Sequence, residues 1–172
     1  KWNWWELAGK TIGIIGMGNI GQKVARIAEA FGMKVCYYST SGTGHCKDYP
    51  CLSLEELLKT SDIVSVHAPL NGRTLNLIGK EQLSMMKPQA YLVNVGRGAI
   101  IVEEDLAQAV DDGVIAGAGV DVFVTEPLPE SHPYLRMRHP ERMRLSPHIA
   151  WASIEARDRL IGIMAENIQK GW

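Results

Sequence analysis

Short apolar runs alternate along this chain with longer stretches whose apolar positions recur at helical spacing. Thr11–Ile15 reads as a strand, and Asn19–Phe31 as a helix with Ile20, Val24, Ile27 and Ala28 on one face. Lys34–Tyr38 is a second strand rich in β-formers, and the Gly/Ser/Thr-rich stretch from Ser39 to Tyr49 reads as loop. Ser53-Leu54-Glu55-Glu56 has the form of a capping box, opening a short helix to about Lys59. Ile63–Val66 is a strand, Lys80–Met86 a short helix, and Tyr91–Val95 a strand again. Glu103–Asp111 is helical with Leu106, Ala109 and Val110 facing inward, and Gly113 lies just past its end. Ile115–Val122 contains the next strand. Pro127, Pro129, Pro133 and Pro140 mark a long irregular connection before a short strand near Met143–Leu145. Ser153–Gln169 closes the chain as an amphipathic helix carrying Ile154, Leu160, Ile161, Met164 and Ile168.

Strand–helix–strand alternation of this kind predicts an α/β fold, a doubly wound parallel sheet with helices on both faces. At 172 residues, all of 1–172 is expected to form one domain. A formal net charge of −1 supplies no electrostatic reason to expect nucleic acid or an acidic membrane as a partner. No run approaches the roughly 18 apolar residues of a membrane span. Cys36, Cys46 and Cys51 are odd in number and lack C-x-x-C spacing, so neither a disulfide framework nor a metal site is expected. A reduced, cytoplasmic protein is the expectation. Trp2, Trp4 and Trp5 make an aromatic start, expected to pack on the body of this domain or, alternatively, on a second domain.

Gly16-Met17-Gly18-Asn19-Ile20-Gly21 is a G-x-G-x-x-G run placed directly after a predicted strand and opening a predicted helix. In that setting Gly16 permits the tight turn, Gly18 lets backbone approach a pyrophosphate, and Gly21 lets the helix press on the strand. The helix start then offers unpaired N–H groups to phosphate. Sheets of this type commonly place a carboxylate about 20 residues on, for the adenosine ribose. Here the second strand ends instead in Ser39, followed by Thr40 and Ser41. Without a carboxylate a ribose 2′-phosphate is not repelled, so both NAD and NADP stay open as cofactors. Because no Arg is adjacent in sequence, the positive charge for such a phosphate is expected from His45 or Lys47.

Three polar residues follow the ends of apolar strands: Arg97 between Gly96 and Gly98, Glu126 before Pro127, and His148 after Ser146-Pro147. Strand ends line one edge of a parallel sheet, and ligands bind there. Guanidinium, carboxylate and imidazole at that edge can bind an anion and move a proton. The segments GIIGMGNIG (Gly13–Gly21), NVGRG (Asn94–Gly98), GAGVDVFVTEP (Gly117–Pro127) and SPHIA (Ser146–Ala150) stand in order along the chain. Together they resemble the D-isomer-specific 2-hydroxyacid dehydrogenase family. PHIAWASIEAR (Pro147–Arg157) is similar to its glycerate dehydrogenase and hydroxypyruvate reductase branch.

The resemblance implies that Arg97 binds a substrate carboxylate through its planar fork and polarises the 2-keto oxygen. It implies that His148 protonates that oxygen as hydride arrives, and that Glu126 orients the His148 ring. It places Asp121 at the nicotinamide carboxamide and Val95 against that ring. The His67-Ala68-Pro69-Leu70 turn lines the adenosine side, and Thr74, Gly96 and Ala150 join the cofactor-binding set. Taken alone, His67 reads as structural, and His132 and His139 as solvated. Ile101-Val102-Glu103 departs from the family's usual Val-Asp and is expected to alter a helix start but not the chemistry.

The family's substrate domain is assembled from sequence before and after the cofactor domain. It is therefore expected to be absent from this chain, with residues 1–8 an interdomain linker and with little or no turnover of hydroxypyruvate by the chain alone. A homodimer is expected. The different-class alternative is a dinucleotide-sensing, corepressor-like binding protein of the same fold.

Overall fold

The computed structural model describes residues 5–171. Its strands are β1 (Thr11–Ile15), β2 (Lys34–Tyr38), β3 (Ile63–Val66), β4 (Tyr91–Asn94), β5 (Gly117–Val120) and β6 (Met143–Leu145). They form one sheet in the order β2-β1-β3-β4-β5-β6, and each adjacent pair is parallel. The helices are α1 (Asn19–Ala30), α2 (Leu54–Thr60), α3 (Lys80–Met85), α4 (Glu103–Asp111) and α5 (Ile154–Lys170). The order reverses between β1 and β3, because the chain runs outward from β1 to β2 and then returns past β1. At that reversal the loops after β1 and β3 diverge to opposite faces and leave a crevice at the strand C-termini.

β1 shows why both faces must be covered. Ile12 and Ile14 point to one side, into a cluster with Met17, Ala25, Ala28, Met33 and Tyr37. Ile15 points to the other, into the larger cluster containing Leu57, Leu58, Val64, Val66, Leu83, Leu92, Leu106 and Val110. A strand buried on both sides reads as a continuous apolar run rather than an alternation. Each fully buried Leu there contributes about 1.5–3 kcal/mol by leaving water. The capping box of α2 is formed as expected: Ser53 Oγ accepts from the Glu56 N–H, and Glu56 reaches back to the Ser53 N–H.

The helices α1 and α5 differ from a simple reading of their apolar faces. The buried residues of α1 are Gly21, Ala25 and Ala28, whereas Ile20 and Ile27 are 64% and 59% exposed. Of the four residues on the apolar face Ala28 is buried, and the contact with the strand is made where Gly21 leaves no room for a Cβ. The closing helix forms, but α5 buries none of its described residues, so its apolar face is unpartnered here. The start of α4 has Val102 as its N-cap with no side-chain hydrogen bond. Trp5 is 70% exposed with Lys10 over its ring and so does not pack on the body of the domain, while Trp2 and Trp4 lie outside the described residues.

Candidate active site and dinucleotide cleft

The glycine loop joins β1 to α1, and its shape explains each glycine. Gly16 has φ +94°, and a Cβ there would lie 2.8 Å from the Ala68 backbone. A Cβ on Gly21 would lie only 2.3 Å from the Gly16 carbonyl oxygen, so the helix can approach only with glycine there. A Cβ on Gly18 would meet nothing within 4 Å. That position opens outward, toward the space a phosphate needs. No side chain caps the α1 N-terminus, so its first N–H groups stay available. Beside the loop is a cleft of about 420 Å³ lined by Ile20, His67, Pro69, Val95, Gly96 and Arg97, among others. The exposure of Ile20 is thereby explained, since its side chain walls the cleft. A dinucleotide fits this arrangement: an open glycine, free N–H groups and a crevice beside the strand ends.

The three polar residues lie beyond β4, β5 and β6, which are neighbours in the sheet. Arg97 is held by the turn after β4. Asn94 Nδ2 donates to the Arg97 carbonyl at 3.0 Å, and Asn94 Oδ1 accepts from the Gly96 N–H at 3.1 Å. A Cβ on Gly98 would be 2.1 Å from the Phe123 carbonyl carbon, so the Arg97 turn lies directly on the loop that carries Glu126. Glu126 Oε1 accepts from the Phe123 N–H at 2.9 Å, and its Oε2 is 2.8 Å from His148 Nδ1. The Phe123 N–H, followed by His148, holds the Glu126 carboxyl below its ordinary pKa. Ionised Glu126 therefore accepts the Nδ1–H of His148 and leaves Nε2 without a part in this pair.

His148 sits at φ +53°, a conformation uncommon for a residue with a side chain. Asp121 shows what holds it there. The Asp121 carboxylate, 4% exposed, accepts from Ser146 Oγ at 2.5 Å, from the Ile149 N–H at 3.0 Å and from the Ala150 N–H at 2.9 Å. The His148 N–H donates to the Asp121 carbonyl at 2.8 Å. Burial pushes the Asp121 carboxyl up, but these donors outweigh it and the net shift is downward. One side chain thus clamps the loop that presents the imidazole.

Residues 1–150 match the family model described as D-isomer specific 2-hydroxyacid dehydrogenase, NAD binding domain. The chain belongs to this family. It is 45% identical over 168 residues to a glyoxylate reductase of Aeropyrum pernix, covering 95% of this chain and 49% of that protein. It is 39% identical over 176 residues to a hydroxypyruvate reductase of Blautia hydrogenotrophica, covering 98% and 54%. Among solved structures, an acyclic imino acid reductase in complex with NADPH and D-Arg superposes with a TM-score of 0.87 at 38% identity, over 96% of this chain and 52% of that one. The chain spans about half the length of the relatives it matches.

Within this NAD binding domain, the structure gathers Gly16, Gly18, Asn19, Ile20 and Gly21 at the loop and His67, Pro69, Val95, Gly96 and Arg97 along the cleft. Ser39 and Thr40 follow the end of β2, next to the loop, where the Gly16 N–H donates to the Tyr38 carbonyl. His67 is both structural and cleft-lining: its Nε2 lies 2.9 Å from Ser65 Oγ, and burial lowers its pKa. Thr74 corrects the expectation for it. It is fully buried, and its Oγ1 donates to the Pro69 carbonyl and accepts from the Asn71 N–H, so it shapes the turn rather than facing the cleft. The Ala150 N–H is likewise engaged, by Asp121.

His132 also departs from expectation. It is 4% exposed, not solvated; its Nδ1 accepts from the Tyr134 N–H, and its Nε2–H donates to Glu103 Oε2 at 3.0 Å. Glu103 Oε1 in turn accepts from the Val124 N–H, one residue past the group that holds Glu126. This relay went unnoticed in the sequence, as did Ser146. Only the spacing of Ser146 two residues before His148 hinted at a role.

Proposed function

We propose that this domain is the cofactor-binding half of an oxidoreductase that transfers hydride between a nicotinamide dinucleotide and a small D-2-hydroxy acid or 2-keto acid. Glycerate with hydroxypyruvate, or glyoxylate, is the substrate class. The observation that carries the reading is the Glu126–His148 pair at 2.8 Å, clamped by Asp121 on the edge that also bears Arg97 and the glycine cradle. When bound, the dinucleotide supplies the hydride. Arg97 binds the substrate carboxylate and polarises the keto oxygen. His148, oriented through Nδ1 by Glu126, gives its Nε2 proton to that oxygen and recovers one from solvent. Asp121 and Val95 face the nicotinamide end of the site.

The substrate domain belongs to sequence outside residues 1–172, with 1–8 as linker. The exposed apolar side chains of α5, among them Ile154, Ile161 and Ile168, support the presence of a covering surface of that kind. The working protein is a cytoplasmic homodimer with no nucleic-acid partner; the near-zero net charge supports the last point. No helix among the described residues is long and apolar enough to cross a membrane.

Fluorescence titration of this chain with NADH and NADPH tests cofactor binding, and saturable binding of at least one is expected. Failure of both to bind would overturn the proposal. A 2-keto acid panel on the full-length protein separates the enzyme from a corepressor-like dinucleotide sensor, which would bind cofactor without turnover. The chain alone is expected to reduce hydroxypyruvate little or not at all, and near-normal turnover would refute the division between domains.

A further inference from the structure

Arg73 is the side chain to which neither the glycine cradle nor the polar trio gives a purpose. It belongs to the loop after β3, far in sequence from the end of β2. Its Nη1 nevertheless donates to the Ser41 carbonyl at 2.9 Å, across 32 residues of chain. The turn that presents it is built for the reach: Asn71 Oδ1 accepts the Arg73 N–H at 2.9 Å, and buried Thr74 ties Asn71 to Pro69. Gly42, at φ +87°, turns the opposite loop beside Arg73, and a Cβ there would stand in ordinary contact with Nη1 at 3.5 Å.

Beside the Ser41 carbonyl that Arg73 meets, the side chains are hydroxyl and imidazole, with Ser39 Oγ donating to the Thr43 carbonyl at 2.5 Å. Ser39 Oγ is 3.1 Å from Ser41 Oγ, and His45 Nε2 lies 2.8 Å from Ser41 Oγ and 3.1 Å from Thr43 Oγ1. Among the described residues, no carboxylate is hydrogen-bonded or ion-paired to Ser39, Ser41, Thr43, His45 or Arg73. The cluster stands at the end of β2, which is stitched to the glycine turn by the Gly16 N–H on the Tyr38 carbonyl. In a sheet of this type the adenosine ribose reaches that strand end, and a carboxylate there would hold its 2′-hydroxyl. Here a guanidinium with four N–H groups left beyond its bond to Ser41, together with several hydroxyls, occupies the position instead. That donor set suits a dianionic phosphoryl group.

Resting on the dinucleotide reading above, we infer that Arg73, with Ser39, Ser41 and His45, forms a 2′-phosphate subsite that makes NADPH the preferred cofactor. Arg73 provides the charge expected from His45 or Lys47, and it comes from a different loop. His45 adds a ring nitrogen to the same cluster. Lys47 has no described contact with it.

Titration of the wild-type chain with NADH and NADPH, followed by Arg73→Met and Ser39→Asp, tests this. NADPH is expected to bind more tightly than NADH and to lose affinity more steeply with added salt. Arg73→Met should weaken NADPH by about tenfold or more, the value of one charge-assisted hydrogen bond, and leave NADH within about threefold. Ser39→Asp should invert the preference by placing a carboxylate against the phosphate. Wild-type binding of NADH as tightly as NADPH or more tightly, or an Arg73→Met variant that weakens both cofactors equally, would overturn the inference while leaving the oxidoreductase reading intact. If neither dinucleotide binds, both fall together.

Discussion

Asp121→Asn removes one acceptor from the clamp beneath His148. The wild-type carboxylate takes three donors, Ser146 Oγ, the Ile149 N–H and the Ala150 N–H, with the first two on Oδ1 and the last on Oδ2. An asparagine can keep the Oδ1 pair but turns an NH2 group toward the Ala150 N–H. One charge-assisted bond is lost and two donors face each other, so the cost is about 2–3 kcal/mol. For a chain of this size that lowers the melting temperature by about 5–10 °C. The pH dependence supplies the sharper signature. The folded pKa of Asp121 is depressed, so its contribution is complete above the unfolded value of about 3.9 and is lost as pH falls through the lower folded value. The gap between wild type and variant should therefore be full at neutral pH and shrink below about pH 4. Circular-dichroism melts of both proteins across that range are the assay. A gap under about 2 °C at neutral pH, or one that persists undiminished in acid, would refute the clamp.

Gly21→Ala drives a methyl group to 2.3 Å from the Gly16 carbonyl oxygen, and backbone must move; dinucleotide binding should fall below detection in the same titration while the circular-dichroism spectrum stays folded. Glu103→Ala strands the buried His132 Nε2–H and the Val124 N–H, costing about 2–4 kcal/mol, to be read as a lower denaturation midpoint in urea. Glu126→Gln leaves the Phe123 N–H satisfied but weakens control of the His148 ring. In the full-length protein it should lower kcat for 2-keto acid reduction by about tenfold to a hundredfold, with the dinucleotide Kd unchanged.

Strand placement was legible because β1 to β5 are short apolar runs bounded by glycine, proline or polar residues, and period and length suffice to find such runs. The glycine cradle was legible for a related reason. Gly16 and Gly21 are each required by a steric contact that no other residue survives, so the pattern is itself a geometric statement. The inward face of α1 was legible in part: Gly21 marks where the helix presses on the strand and Ala28 shares its apolar face, whereas Ile20 and Ile27 of that face remain exposed. His132 and Glu103 were missed because they lie 29 residues apart, and nothing local announces that a histidine in a proline-rich connection will be buried against a helix start. Thr74 misled in the opposite direction, since a hydroxyl near a cleft looks available until its two partners are seen.

By itself, then, the chain's sequence determined which residues stand at strand ends: Arg97, Glu126 and His148, with Gly16, Gly18 and Gly21 ahead of them. Those assignments depend on order and period, which are properties of a line. The tertiary structure decided everything that depends on two distant segments meeting. It decided that Asp121 clamps the His148 loop, that Glu103 and His132 brace the Glu126 loop, and that Arg73 crosses to Ser41. Hydrogen bonds act over about 3 Å in space and are blind to separation along the chain. The charge facing Ser39 therefore became visible only when the loops after β2 and β3 were brought side by side at the reversal of the sheet.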